Sequence, residues 1–254
     1  MRLIIFNYHA VLGNGRKSRD FYQISSQQFY QQMDHIKDSG FKVVNLKQIN
    51  NFTNGKRNSN SQVALTFDDG DVSSYEIVEP ILRQNAWKAY FFITAGRIGK
   101  NGTMNWEQIK SLRDKKHIIG SHGMTHRILT QLTDREVELE LKDSKKILED
   151  NLGIPVRCLS IPRGFHNEKI IQKAKDLGYE AIFTSELGVN TDTSLNLLRL
   201  NRISIKRSLS FERFVRILGG KNLMKEKIED AFKKSAKVLL GSKNYEKITL
   251  KAYK

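Results

Sequence analysis

Short apolar segments alternate with amphipathic helical patterns along most of this 254-residue chain. Residues 3–8, 63–67, 89–94 and 156–161 are apolar segments of this kind. Such alternation of strands and helices predicts a mainly parallel sheet covered by helices. The pattern alone fits both a closed barrel and an open sheet. In a barrel, side chains at the carboxyl ends of the strands would meet at one mouth.

One predicted strand, residues 63–67, leads into Asp68, Asp69 and Gly70. Because side chains alternate along a strand, the two carboxylates reach one cavity only if the strand ends at this point. Gly70 gives the backbone the freedom to turn away. Two carboxylates in one dry site require a cation or a shared proton. This strand end therefore predicts a metal site.

His122 and His126 are the candidate partners of these carboxylates. Their spacing predicts that both imidazoles lie on one side of a helical turn. With one carboxylate they form a two-histidine, one-carboxylate set, which leaves coordination positions open for water and substrate. An iron oxygenase could use the same set, but the additional Asp68 and the predicted parallel sheet argue against one.

These two motifs, TFDDG at 66–70 and GSH at 120–122 with His126, resemble those of the polysaccharide deacetylase family. This family is carbohydrate esterase family 4 and contains the NodB homology domain. The similarity runs in order through roughly residues 1–215. It implies an α/β fold, the distorted (β/α)7 barrel, for this part of the chain. The remaining residues, 216–254, are predicted from their composition to form a basic helical extension. The resemblance also implies that Asp68 is the general base and that Asp69, His122 and His126 bind a divalent metal ion, with Zn²⁺ preferred.

The third motif departs from the family pattern. Many relatives carry Arg-Pro-Pro-Tyr-Gly where this chain has SIPRG at 160–164. The resemblance places the backbone N–H of Arg163 in an oxyanion site and Pro162, Gly164 and Phe165 against the substrate. Ser160 replaces the arginine that orients the base in relatives, so Asp68 needs another partner. The Arg163 side chain is one candidate.

The general acid is not fixed by the motifs, because the family segment that supplies it is not evident near residues 200–203. His9 is the first candidate, since the first strand points it toward the same mouth. His166, on the loop after Gly164, is the second. The altered motifs leave a non-catalytic glycan-binding relative as the alternative function. The intact Asp68 and metal set favour the enzyme.

A formal charge of +16 favours contact with polyanions, but no nucleic-acid motif accompanies it, so nucleic acid is not expected as a partner. Residues 206–254 hold fourteen Lys or Arg against five Asp or Glu. Met224, Ile228 and Phe232 fall on one face of a predicted basic helix there. Such a helix can lie on an anionic membrane surface, or it can pack on the barrel with a solvated lysine face.

Cys158 is the one cysteine, so no internal disulfide is expected. The apolar run at the amino terminus is too short for a signal peptide, and none is long enough to span a bilayer. These features predict a cytoplasmic protein, peripheral at the inner face of the membrane. The expected activity is metal-dependent removal of N-acetyl groups from amino sugars of a cell-surface glycan or its lipid-linked precursor.

Overall fold

The computed structural model describes residues 2–13, 20–45 and 61–220. Its central feature is a closed barrel of parallel strands. These strands are β1 (Arg2–Tyr8), β5 (Gln62–Phe67), β6 (Tyr90–Ile93), β7 (Ile118–Ser121), β8 (Cys158–Ser160), β9 (Ala181–Leu187) and β11 (Leu200–Ser204). They follow the order β1-β11-β9-β8-β7-β6-β5, and β5 pairs with β1 to close the ring. The predicted distorted (β/α)7 barrel is confirmed.

Within the described ranges, four short strands lie outside this ring. They are β2 (Val11–Leu12), β3 (Ile24–Ser25), β4 (Lys42–Val43) and β10 (Asn190–Thr191). β4 extends the sheet beside β5, β10 runs antiparallel to β1, and β2 pairs with β3. The predicted polar loop at 51–61 lies almost entirely outside the described residues.

Helices cover the outside of the barrel. They are α1 (Ser26–Asp38), α2 (Glu79–Gln84), α3 (Trp106–Asp114), α4 (Asp134–Leu152), α5 (Glu168–Asp176) and α6 (Phe211–Leu218). The predicted capping box at Thr133 and Glu136 opens α4, and Gly153 in the left-handed conformation closes it. None of the described helices has the length and apolar character that a membrane span requires. From residue 221 onward, the predicted basic extension lies outside the described residues.

Two apolar layers follow from the alternation of side chains along the strands. One layer fills the barrel interior and includes Leu3, Ile5, Tyr90, Phe92 and Phe183. The other lies between strands and helices, where neighbours such as Ile4 and Phe6 pack outward. Toward the carboxyl ends of the strands the buried residues become polar: Asn7, Thr66, Asp68, Ser160 and Arg202. The fold thus places a polar cluster at one mouth of an otherwise apolar barrel.

Candidate active site

The two adjacent carboxylates separate where β5 ends. The strand stops at Phe67, Asp68 is 2% exposed, and Asp69 takes a positive φ of 75°. This left-handed residue breaks the strand direction, so the two side chains meet different partners. Asp68 faces the buried polar cluster, and Asp69 faces the histidines. The predicted strand end at this point is confirmed.

Asp69, His122 and His126 come together as one group. Their ligand atoms all lie within 4.8 Å of one another. The Oδ1 atom of Asp69 is 3.5 Å from Nε2 of His122 and 3.1 Å from Nε2 of His126. In the described part of the chain, this is the one cluster of three or more His, Cys, Asp or Glu that could hold a metal ion.

The hydrogen bond on the far side of His122 fits metal binding. Its Nδ1 lies 2.8 Å from the carbonyl oxygen of Ser160, which can only accept, so Nδ1 carries the proton. In the neutral imidazole Nε2 then has a lone pair, and it points toward Oδ1 of Asp69. That oxygen is buried and has no hydrogen-bond partner. Nitrogen and oxygen lone pairs converging on one point suit a bound cation such as Zn²⁺.

The segment that joins the two histidines is not helical, so the prediction of a helical turn is wrong. β7 ends at Ser121, and residues 122–128 form a loop. Gly123 has φ 72° and His126 has φ 65°, both in the left-handed region. Two left-handed residues reverse the chain within this loop, which a right-handed helix does not permit. The imidazoles therefore converge because the loop folds back on itself.

Asp68 is held by Arg202, which reaches it from β11. Nη1 and Nη2 of Arg202 each donate at 3.0 Å to the two carboxylate oxygens of Asp68. Both side chains are almost fully buried. This bidentate pairing is the strong geometry for an arginine and a carboxylate. Arg202 is therefore the partner that Asp68 needed, and the Arg163 side chain does not take that place.

Ser160 completes the contacts of Asp68. Its hydroxyl donates to Oδ2 of Asp68 at 3.1 Å and accepts from Nη2 of Arg202 at 2.9 Å. Ser160 stands at the position that the family resemblance assigns to the orienting arginine. In this chain Arg202, on β11, makes the ion pair with Asp68 instead, and its Nη2 also donates to the small side chain of Ser160.

The ionisation of both carboxylates is favoured despite their burial. Burial alone would raise the pKa of Asp68, but the charge of Arg202, with smaller effects of His122 and His9, holds it below its usual value. Burial would likewise raise the pKa of Asp69, but the neighbouring imidazoles of His122 and His126, with the charge of His9, bring it well below its usual value. Asp68 is therefore an anion at neutral pH, able to accept a proton.

His9 lies at the same mouth, as predicted. Its charge lowers the pKa of both Asp68 and Asp69. The ring packs on Tyr22 with 4.7 Å between centroids, and Nδ1 is buried with no hydrogen-bond partner. His166 is engaged elsewhere, with Nδ1 3.2 Å from the carbonyl of Gly164 and Nε2 3.7 Å from Glu186. The contacts favour His9 as the acid candidate.

The third motif forms a tight turn after β8. Residues Pro162–Gly164 make one turn of 3-10 helix, with Arg163 at φ 59°. Pro162 packs beside Gly123 of the histidine loop, so the turn adjoins the metal ligands. Burial lowers the pKa of His126, and the charge of Arg163 lowers it further. The oxyanion role of Arg163 and the substrate contacts of Pro162, Gly164 and Phe165 stay predictions.

Arg202 is the functional residue that reasoning from the sequence missed. The sequence pattern predicts this strand but assigns no role to its arginine. One signal points to it: a side chain that faces inward from a barrel strand such as LNRISI at 200–205 is buried, and a buried arginine needs an anionic partner.

Comparison with known proteins agrees with this geometry. The profile of a family described as polysaccharide deacetylase matches residues 55–182, about half of the chain. YxkH of Bacillus subtilis is 27% identical over 84% of this chain and 75% of YxkH. A peptidoglycan-N-acetylglucosamine deacetylase of Bacillus cereus is 30% identical over 50% of this chain and 58% of its own length.

A solved structure shares the whole barrel. The Streptococcus pyogenes deacetylase PplD in complex with acetate superposes with a TM-score of 0.77 and 25% identity, over 86% of this chain and 98% of PplD. The family profile and the shared fold lead to one assignment. The chain belongs to the polysaccharide deacetylase family, a family of carbohydrate N-deacetylases.

Proposed function

We propose that this protein is a metal-dependent hydrolase that removes N-acetyl groups from amino sugars of a cell-surface glycan or its lipid-linked precursor. One observation carries the proposal. A buried, ionised carboxylate, Asp68, is fixed by Arg202 and Ser160 beside a cluster of Asp69, His122 and His126. A base and a metal-ligand set in one mouth are what hydrolysis of an unreactive amide requires.

The cluster of Asp69, His122 and His126 would hold the metal ion. Two imidazole nitrogens and one carboxylate oxygen suit Zn²⁺ and leave coordination positions free. When bound, such an ion lowers the pKa of a water molecule to about 7 and polarises the acetyl carbonyl. The hydrogen bond from Nδ1 of His122 to the carbonyl oxygen of Ser160 fixes the orientation of that ring.

Asp68 would act as the general base. A carboxylate offers about four acceptor positions, and the donors from Arg202 and Ser160 use three of them. The remaining position, on Oδ1, can take a proton from the attacking water. Because Arg202 holds the pKa of Asp68 below its usual value, the base is ionised at neutral pH.

Two further groups would assist the reaction. The backbone N–H of Arg163, in the turn after β8, would stabilise the negative charge that develops on the acetyl oxygen. His9 would donate a proton to the leaving amine. Its support is its place at the barrel mouth, near enough to Asp68 and Asp69 for its charge to act on both carboxylates.

The substrate class follows the relatives. The Bacillus cereus relative is named for peptidoglycan N-acetylglucosamine, which supports an N-acetylated glycan as the substrate here. The lipid-linked form and the cytoplasmic, membrane-peripheral location are part of the proposal. Their support is the basic composition of residues 206–254, where Lys and Arg outnumber Asp and Glu by nine.

Acetate release tests the proposed activity. Wild type and Asp68→Asn are incubated with N-acetylglucosamine oligomers, peptidoglycan and a lipid-linked N-acetylated sugar, before and after chelation and Zn²⁺ re-addition. We expect release that needs both the metal and Asp68, with a loss of 10²-fold or more in Asp68→Asn. Glycan binding without release by any sample would instead support the non-catalytic relative.

Co-sedimentation with lipid vesicles tests the membrane part separately. The full-length protein is mixed with vesicles of anionic or zwitterionic lipid at low and high salt. Binding to anionic vesicles that high salt weakens is the expected result, because screening shortens the reach of surface charges. Equal partition with both lipids would contradict it and would leave the acetate assay unaffected.

A further inference from the structure

The loop between the two histidines depends on a side chain from outside the metal cluster. The backbone N–H groups of Met124 and Thr125 both donate to Oε2 of Glu140 at 2.9 Å. The hydroxyl of Thr125 donates to the other oxygen, Oε1. Glu140 lies on α4, the helix that follows this loop along the chain. One carboxylate thus satisfies the donors at the centre of the loop.

The carbonyl groups of the same loop are held as well. The carbonyl oxygen of Gly123 accepts from the backbone N–H of Ala95 at 3.1 Å, and that of Met124 accepts from the N–H of Gly96 at 2.8 Å. Ala95 and Gly96 follow β6. A helix that supplies acceptors and a turn that supplies donors therefore both hold the loop.

The side chain of Glu140 is buried, and its hydrogen bonds are those with this loop. It is 5% exposed, and among the described residues its hydrogen bonds all come from this loop. Burying a carboxylate is costly unless its oxygens are hydrogen-bonded. A glutamate at a buried helix position, where an apolar residue would be cheaper, therefore indicates that the loop needs its acceptors.

Gly123 shows how closely the loop fits. It has φ 72°, and a Cβ atom built on it would lie 3.3 Å from Oε2 of Glu140 and 3.2 Å from Cγ of Pro162. The glycine allows both the left-handed conformation and the close approach of the carboxylate. The loop is thereby packed between Glu140 and the turn of the third motif.

We propose that Glu140 is the positioning residue of the metal site. Among the residues that the structure describes, it makes no hydrogen bond with a metal ligand atom, but it fixes the loop whose two ends carry His122 and His126. The left-handed His126 is brought to within 3.1 Å of Asp69 only if the loop keeps this path. The inference rests on the metal-binding part of the proposed function.

Metal affinity of Glu140 variants tests this proposal. The full-length wild type, Glu140→Met and Glu140→Gln are titrated with Zn²⁺ against a chromogenic chelator, and Co²⁺ absorption spectra are recorded. We expect Glu140→Met to bind Zn²⁺ at least about tenfold more weakly and to change the Co²⁺ spectrum, as loss of an outer ligand support does. Glu140→Gln should bind more tightly than Glu140→Met, because its amide oxygen can still accept both N–H groups.

Glu149 provides a matched control on the same helix. Its Oε1 accepts from the backbone N–H of Val156 at 2.8 Å and from Lys145 at 2.7 Å, so it too holds a loop, but away from the metal cluster. Glu149→Met should lower the melting temperature and leave both metal affinity and the Co²⁺ spectrum as in wild type.

Three results would overturn the proposal. One is a folded Glu140→Met variant whose Zn²⁺ affinity and Co²⁺ spectrum equal those of the wild type. Another is a Glu149→Met variant whose Zn²⁺ affinity falls as much as that of Glu140→Met. If Glu140→Met does not fold, Thr125→Val and Glu140→Gln carry the test, and unchanged affinity in both contradicts it. Failure of the proposed metal site is distinguishable, because the wild type would then bind no metal before any variant is compared.

Discussion

At the scale of single residues, the ion pair of Asp68 and Arg202 is the most informative contact. Removing two charges from water costs several kcal/mol for each ion, which good geometry and further hydrogen bonds must offset. The bidentate bonds of Arg202 and the hydroxyl of Ser160 supply them here. Apolar residues at these positions would cost less. We therefore infer that the pair is retained to keep a base ionised inside the barrel.

Arg202→Gln tests this pair through the pH profile. Asp68 must be ionised to act, and Arg202 lowers its pKa against the effect of burial. Without the guanidinium charge that pKa rises, so the acid limb of kcat/KM should move to higher pH. Arg202→Lys keeps a charge but not the bidentate geometry, and its limb should lie between the other two. An acid limb that stays at the wild-type pH in Arg202→Gln would show that Asp68 is not the titrating base.

At the scale of elements, the turn formed by the third motif after β8 packs directly against the neighbouring strand β9. Gly164 has φ 71°, and a Cβ atom built on it would lie 2.3 Å from Cβ of Ser185 on β9. Any side chain at Gly164 must push the turn away from β9. This close approach, more than the identity of the neighbouring Arg163, fixes the position of the predicted oxyanion N–H.

Gly164→Ala should therefore lower kcat about tenfold or more at saturating Zn²⁺, since oxyanion donors act only when well placed. Gly153→Ala is the matched control, because Gly153 also has a positive φ, of 64°, but has open space around its Cβ position. Both variants should lose stability by about 1–3 kcal/mol. Wild-type kcat in Gly164→Ala would contradict a catalytic role of this turn.

His117, which leads into β7, makes folding stability depend on pH. Burial, with the charges of Lys88 and Lys115, lowers its pKa from 6.5 to about 4. Between these two pH values the imidazole binds a proton in the unfolded chain but not in the folded chain. The free energy of unfolding therefore decreases as pH falls from 6.5 toward about 4. The loss is about 3 kcal/mol at most. Chemical denaturation of wild type and His117→Gln at several pH values in this window measures it, and equal pH slopes would contradict the assignment.

Local sequence patterns predict the strands, one helix and the position of the site. Apolar runs and the capping box at Thr133 located strands and α4, and the Asp68–Gly70 strand end located the site. Closure of the barrel came only from the family resemblance, because pairing of β1 with β5 joins segments that local pattern cannot relate. The helical turn predicted for the histidine loop is wrong, and Arg202 is not predicted as the partner of Asp68, for the same reason. Gly123 and Arg202 act through contacts with residues remote in sequence.

At the scale of the whole molecule, closure of the barrel brings the site together. β1, β5, β7, β8 and β11 each end at the same mouth and contribute His9, Asp68 and Asp69, His122, Ser160 and Arg202 respectively. Residues more than a hundred positions apart thus meet within hydrogen-bond distance. The prediction of one catalytic unit at 1–215 with a basic extension at 216–254 stays a prediction, because residues 221–254 lie outside the described part.

Titration of metal-free protein with Zn²⁺ tests the central claim most directly. Protein stripped by a chelator is given Zn²⁺ in steps below one equivalent, and acetate release from an N-acetylglucosamine oligomer is measured at each step. The proposed site predicts no release without metal and a linear rise that ends at one equivalent per chain. Full release by the metal-free protein, or no release from any substrate at one bound equivalent, would contradict metal-dependent deacetylation.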